Sequence, residues 1–430
     1  MRPSTEVQGR LRLALDALAL IVAKASFIGL RLIALYLLAG SLPREVFGLL
    51  ALAFTISEIA RYVGDWGTDT LSLRVFSRPN AAEAGAAFRW LLRLRAVASS
   101  AAMLLALAGI AWLCDGLSWP TRVAVALTAS TSLWLNAGVN WLQARESLRP
   151  VALVLAVVGL FSCCAQWLAA QAQLEMASRL ALLLVFEVLM AVIVLVLALR
   201  NSAASGAGIK VGTNPSLSPN LKFGLWFAQT TPIAVASVLA LLYSRVDQLY
   251  LRHFAEAVVL GDYSLAVRLV EPFAFVAAAL SSTIYARASA AAQAEGVTPA
   301  TRAVALGWVR RMLAYGIGVG VVVGLAALFV LPLWLPAYAG AIGFLCIGLL
   351  QLVFRCLNLC ITALLQALGR YQTMMRISFL NAGLVPLFVV VGGQSFGPVG
   401  VAVAMVLAEA INAAVQWRLF HVAYRPRATL

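Results

Sequence analysis

Histidine is almost missing from this chain. Its two copies, His253 and His421, fall at the expected outer and inner ends of apolar runs, too far apart to share a metal. The six cysteines form no ligand spacing or disulfide framework. Cys163, Cys164, Cys346, Cys356 and Cys360 lie inside apolar runs, and only Cys114 approaches an outer end. No Ser/His/Asp or Cys/His arrangement can be assembled within one leaflet, so no catalytic centre, metal or cofactor is expected. Charge is scarce as well. Asp, Glu, Lys and Arg make up 11% of the residues, under half the roughly 25% of a soluble domain, and 63% are apolar. That composition excludes a soluble enzyme and points to an integral membrane protein.

Acidic residues are the scarcer sign, 17 against 32 basic. The excess is not a nucleic-acid footprint, because most of the Lys and Arg crowd alternate loops between apolar runs. Only Arg44, Arg122, Arg179 and Arg252 fall in the intervening loops. Basic loops mark the cytoplasmic side and attract anionic lipid, so both termini are expected in the cytoplasm and no nucleic-acid partner is expected.

About twelve runs are long enough to cross a hydrocarbon core of about 30 Å, which takes roughly 20 apolar residues per helix. Runs of this length are unlike β-barrel strands, which are short and alternate in polarity. The expected fold class is therefore an all-α integral membrane protein. The first run, Leu13 to Ala39, is too long for a cleavable signal and contains Lys24 and Arg31, so it reads as a retained span. Spans expected further on include Val46 to Leu73, Val123 to Gln143, Phe223 to Leu251, Val258 to Ile284 and Ala339 to Leu368. The segment NSAASGAGIKVGTNPSLSPN is small, polar and punctuated by Gly and Pro, which is linker chemistry. The expected organisation is an N-terminal six-helix lobe over residues 1–200, a cytoplasmic linker over 201–221 and a C-terminal six-helix lobe over 222–430.

Laying the second half over the first brings like residues together. Glu58 falls on Glu271, Asn136 on Asn358, Gln143 on Gln366 and Glu187 on Glu409. The second span opens EVFGLLALAFTISE and the eighth VVLGDYSLAVRLVE, which equates Gly48 with Gly261. Each half holds an even number of spans, so both enter from the same side. They read as parallel repeats around a central cavity, an arrangement many secondary transporters use.

Ionisable residues inside spans are costly and usually functional. Lys24 and Arg31 share a face of the first span, two turns apart. Glu58 and Arg61, and Arg268 and Glu271, stand at i,i+3, while Arg245 neighbours Asp247. Lys24, Arg31 and Arg355 have no partner along their own helices, and an unpaired cation at mid-depth must face water, another helix or an anionic ligand. Polar stripes add to this. Thr128, Ser132, Asn136, Asn140 and Gln143 line one face of the fourth span. Gln351, Arg355, Asn358, Thr362 and Gln366 do the same in the tenth, and both read as walls of a wet cavity. Gly316, Gly318, Gly320 and Gly324 follow no strand and suit helix packing, not a nucleotide.

Arg245-Val-Asp247-Gln-Leu followed by Leu260-Gly-Asp-Tyr263-Ser-Leu-Ala266 resembles the signature region of Wzx-like polysaccharide and O-antigen flippases. These belong to the multidrug/oligosaccharidyl-lipid/polysaccharide exporter superfamily. Val46-Phe47-Gly48 and Gln366-Ala-Leu-Gly-Arg370 fit the same pattern. One departure is the missing proline late in the eighth span, where Ile284-Tyr285-Ala286 stands. The resemblance implies a multi-pass carrier of the bacterial inner membrane that moves undecaprenyl-pyrophosphate-linked oligosaccharide outward. It also implies a polysaccharide polymerase and chain-length machinery as partners. It places Lys24, Arg31, Arg61, Arg245 and Arg268 near the substrate, and Arg355, Asn358 and Asn136 join them from the stripes. Asp247, Glu58 and Glu271 are the candidates for coupling to an ion. Within the same superfamily the alternative is a multidrug and toxin extrusion antiporter. Its cationic cargo calls for carboxylates free of basic partners, which Glu187 and Glu409 suit.

Overall fold

The computed structural model describes residues 29–30, 33–34, 36–76, 81–145, 148–206, 223–295 and 297–425. Every regular element among them is helical. The helices are α1 (Arg44–Asp65), α2 (Thr68–Phe76), α3 (Ala81–Leu113), α4 (Trp119–Ala144), α5 (Leu148–Gln171) and α6 (Met176–Gly206). After the linker come α7 (Phe223–Tyr243), α8 (Val246–Phe254), α9 (Ala257–Glu295), α10 (Pro299–Trp334), α11 (Ala341–Ala367) and α12 (Tyr371–Ala423). Both chain termini, and with them the expected cytoplasmic placement, lie outside the described residues.

Among the described residues 8 helices are long and apolar enough to cross a membrane, fewer than the runs expected. Each shortfall has a physical source. The polar stripe of α4 lowers its hydropathy, and most of the first expected span lies outside the described residues. The last two expected spans are joined in α12, where Gly397 alone leaves helical geometry (φ 60, ψ −149) just before Pro398. Only a residue without a Cβ takes that conformation at no cost, and Pro398 then starts the return.

Two other expected spans are broken. The run Val46 to Leu73 stops at Asp65, because Trp66 (φ 46) and Gly67 (φ 74) adopt left-handed backbone. Thr68 closes the break by donating to the Asp65 carbonyl at 2.6 Å and to its carboxylate at 3.0 Å. The run Phe223 to Leu251 stops at Tyr243, and α8 begins beyond Ser244 and Arg245. Ser and Asp compete for backbone groups and favour such ends over helix interiors. Conversely, α6 continues to Gly206, inside the segment expected to be linker.

The chain folds as two compact units, one holding Ala53–Val238 and the other Leu42–Leu52 with Leu239–Leu430. In the first, α4 packs on α3 and α6 around Phe76, Phe88 and Trp141. Phe88 stacks on Trp141 with ring centroids 4.7 Å apart, and Phe76 meets both edge-on. In the second, α11 is central and packs on α9, α10 and α12.

At the start of α1 the repeat-equivalent glycines meet. A Cβ on Gly48 would lie 2.7 Å from the Gly261 nitrogen, and one on Gly261 would strike the Arg44 carbonyl. Phe47 packs edge-on against Tyr338 beside them, and Arg44 pairs with Asp262 at 3.3 Å. Gly261→Val should therefore overpack the second unit and cost about 1–3 kcal/mol. Gly318, where an added Cβ meets nothing within 4 Å, gives the control. Thermal unfolding in detergent should show a clear drop in Tm for Gly261→Val and little change for Gly318→Val.

Candidate functional site

Among the described residues each unit carries a buried polar cluster built on an ion pair. In the first, the guanidinium of Arg95 sits between the carboxylates on either side of the α1–α2 break. Its Nη2 donates to Asp65 Oδ1 and Asp69 Oδ1, both at 2.6 Å. Asp65 also accepts from the Asp69 backbone N–H at 3.0 Å. Asp69 is held from α4, by Asn136 to Oδ2 at 3.0 Å and Asn140 to Oδ1 at 3.1 Å. Arg95 is 0% exposed, and its Nε and Nη1 find no hydrogen-bond acceptor. Arg61 lies within electrostatic reach of Asp69, with its guanidinium 4.2 Å from the Tyr62 ring centroid.

In the second unit, Glu271 of α9 takes up two arginines. Arg245, at the α7–α8 break, forms an ion pair with its Oε1, and Arg268 reaches Oε2 at 3.2 Å. Arg268 also donates to the Ala51 carbonyl at 3.0 Å. Arg355 of α11 is exposed and acts electrostatically on both Glu271 and Glu409. Glu409 of α12 accepts from Asn358 Nδ2 at 2.5 Å, and Asn358 also donates to the Glu409 carbonyl at 3.1 Å. The Oδ1 of Asn358 is buried without a donor. Thr362, Gln416 and Asn412 continue the line as a chain of 3.0 Å bonds. Two of the five α11 stripe residues, Asn358 and Thr362, thus serve interhelical bonds, while Arg355 stays exposed.

Several expected residues come together here and others do not. Arg245, Arg268, Glu271, Arg355 and Asn358 gather in one unit, whereas Asn136 and Arg61 belong to the first-unit cluster. Asp247 lies within electrostatic reach of the neighbouring Arg245. It accepts from the Tyr263 hydroxyl and, at 2.8 Å, from the Gln248 backbone N–H, and it is 4% exposed. Glu58 is half-buried on α1. Lys24 and Arg31 lie outside the described residues. No cluster of three or more His, Cys, Asp or Glu able to hold a metal occurs among the described residues.

Asp69 and Arg95 are site residues that loop-and-span reading missed, because Arg89, Arg93 and Arg95 look like one cytoplasmic basic cluster. Helical spacing separates them. Phe88, Leu91, Arg95, Ser99 and Ala102 recur every three or four positions and all are buried, while Arg89 and Arg93 are exposed.

Removing one partner of a buried ion pair leaves an uncompensated charge and costs about 3–5 kcal/mol. Arg95→Met should therefore sharply lower the yield of folded protein. Combining it with Asp65→Asn and Asp69→Asn should restore much of that yield. Size-exclusion profiles of detergent extracts read both outcomes, and a single Arg95→Met that behaves like wild type would refute the role given to the pair.

No family model and no curated protein matches the chain. Solved structures do. An inward-facing multidrug resistance MATE family transporter of the MOP superfamily superposes with a TM-score of 0.70 at 12% identity, over 95% of this chain and 98% of that one. An outward-facing MATE transporter gives 0.65 at 15% identity, over 94% and 95%. The lipid II flippase MurJ in an inward closed conformation gives 0.64 at 14% identity, over 96% and 88%. At these identities the likeness concerns the fold, and the chain has the fold of MOP-superfamily transporters.

Proposed function

We propose that this chain is a flippase for lipid-linked oligosaccharide. It carries an undecaprenyl-pyrophosphate-linked glycan from the inner to the outer leaflet of a bacterial inner membrane, by alternating access, for cell-surface polysaccharide such as O-antigen or exopolysaccharide. The observation that carries this reading is the cationic excess around Glu271. Arg245, Arg268 and Arg355 act on that one carboxylate, and Arg355 remains exposed. Taking a pyrophosphate into hydrocarbon uncompensated is prohibitive, and a guanidinium facing water offsets that cost with paired hydrogen bonds to phosphate oxygens. A lipid-flipping neighbour of the same fold agrees with it. The expected polymerase and chain-length partners follow from the pathway this cargo enters.

A cation antiporter is the second reading, favoured by the MATE neighbours and by half-buried Glu409. Glu409, however, already accepts from Asn358 and feels Arg355. Asn358 and Glu409 are better suited to a coupling ion than to a bulky cargo, and they join Glu58, Glu271 and Asp247 as coupling candidates.

Deleting the gene in its host should cause a complete polyprenyl-linked oligosaccharide to accumulate, read by mass spectrometry of extracted lipids. Wild type should clear it. Arg355→Gln should lower flipping by about tenfold or more, the worth of one lost charge-assisted hydrogen bond. Arg355→Lys should recover part of that loss. No accumulation on deletion, with new sensitivity to cationic dyes, would replace the flippase with the antiporter.

A further inference from the structure

The first unit holds a cavity of about 480 Å³ between α1, α3 and α7. Its walls are mostly apolar and include Trp66, Trp90, Leu94, Ala98, Ala101 and Leu105. Among the described residues polar groups enter through Asp65, Thr68 and Thr230 and the two indoles. Gly64 makes the narrow end, where an added Cβ would lie 2.9 Å from the Ala102 methyl. Apolar cavities of about 150 Å³ stay dry and accept hydrocarbon guests, so a space this apolar calls for hydrocarbon, not water.

Two features say which hydrocarbon. Ala101 and Leu105 of the wall are exposed, and Val97 and Leu104 on the same helix are 72% and 60% exposed, so the cavity opens on the apolar outer face of α3. That helix is long and apolar enough to cross the membrane, and its outer face meets lipid tails. At the start of the same helix Arg89 and Arg93 are exposed one turn apart, directly beside the wall residues Trp90 and Leu94. Arginines near the end of a span reach out to the headgroup level. Basic residues there attract anionic lipid, at about 1 kcal/mol each.

We propose that this cavity is a binding site for one anionic phospholipid, with an acyl chain between Trp66 and Trp90 and its phosphate at Arg89 and Arg93. The site has a structural consequence. Asp65, Trp66 and Thr68 are at once cavity wall and the break between α1 and α2, and Asp65 anchors Arg95. The Trp66 indole N–H donates to Thr231 of α7 at 3.1 Å. A chain wedged against these residues braces the break and the buried ion cluster behind it.

The test is native mass spectrometry of the full chain in detergent, titrated with dioleoylphosphatidylglycerol or dioleoylphosphatidylcholine. Wild type should retain one phosphatidylglycerol per chain in preference to phosphatidylcholine. Ala98→Phe with Ala101→Phe fills the cavity and should lower retention about tenfold or more, since two excluded methylenes already cost that much. Leu104→Phe, on the open lipid face, should bind as wild type does. Arg89→Gln with Arg93→Gln changes only exposed side chains and should abolish the preference between the headgroups. Equal retention by the filled variant and wild type would overturn the site. Displacement of phosphatidylglycerol by inorganic phosphate would overturn the acyl-chain assignment, and one-for-one displacement by a polyisoprenyl phosphate would reassign the cavity to an isoprenoid.

Discussion

A charge inside hydrocarbon must find its counter-charge within the protein, and much of this architecture follows from that requirement. The α1–α2 break exists where Asp65 and Asp69 turn towards Arg95. A continuous helix would also place the two aspartates one turn apart. The break lets the Asp65 carboxylate receive the Asp69 backbone N–H and the Thr68 hydroxyl while still meeting the guanidinium. The break before α8 does similar work in the second unit, where it brings Arg245 to Glu271 across from α9. In a low-dielectric setting these contacts are less a source of net stability than a condition for the backbone to take this path at all.

That requirement separates what could be read from the residues from what could not. The all-helical membrane class and the apolar runs were legible because span length and hydropathy are one-dimensional properties. The breaks were not, since Trp66-Gly67 and Ser244-Arg245 look like tolerable interruptions of apolar runs until their charge partners are known. The i,i+3 pairing of Arg268 with Glu271 was also legible, because it lies within one helix. Arg245 with Glu271, and Arg95 with both aspartates, link segments far apart in sequence, and no helical periodicity reports such partners. Periodicity does report burial, and the stripe from Phe88 to Ala102 marks Arg95 as an inward-facing cation.

Residues that the sequence overlay equates sit in different environments. Asn358 bonds Glu409, but its equivalent Asn136 bonds Asp69 of α2 instead. The same amide at the same helical position thus serves a helix-to-helix bond in one half and an ion cluster in the other. Gly48 and Gly261 meet because neither can carry a Cβ at that crossing, a steric constraint that admits no substitute. The signature residues around them are also engaged in structure. Asp262 pairs with Arg44 and Tyr263 with Asp247, so the segment that suggested a carrier family is engaged in holding the second unit together.

A cluster whose charges cancel internally has little left for a ligand, and the first-unit cluster, with Asp65 and Asp69 set against Arg95 and Arg61, is in that state. Around Glu271 the count runs the other way, with three guanidinium groups acting on one carboxylate. Arg245 and Arg268 are spent on Glu271 itself, while Arg355 is divided between Glu271 and Glu409 and stays open to its surroundings. A side chain that is charged, incompletely neutralised and accessible is where an anionic headgroup gains most and where a cation would be repelled. A preference for an anion over a cation at this cluster therefore turns on Arg355 more than on the number of acidic residues within the spans.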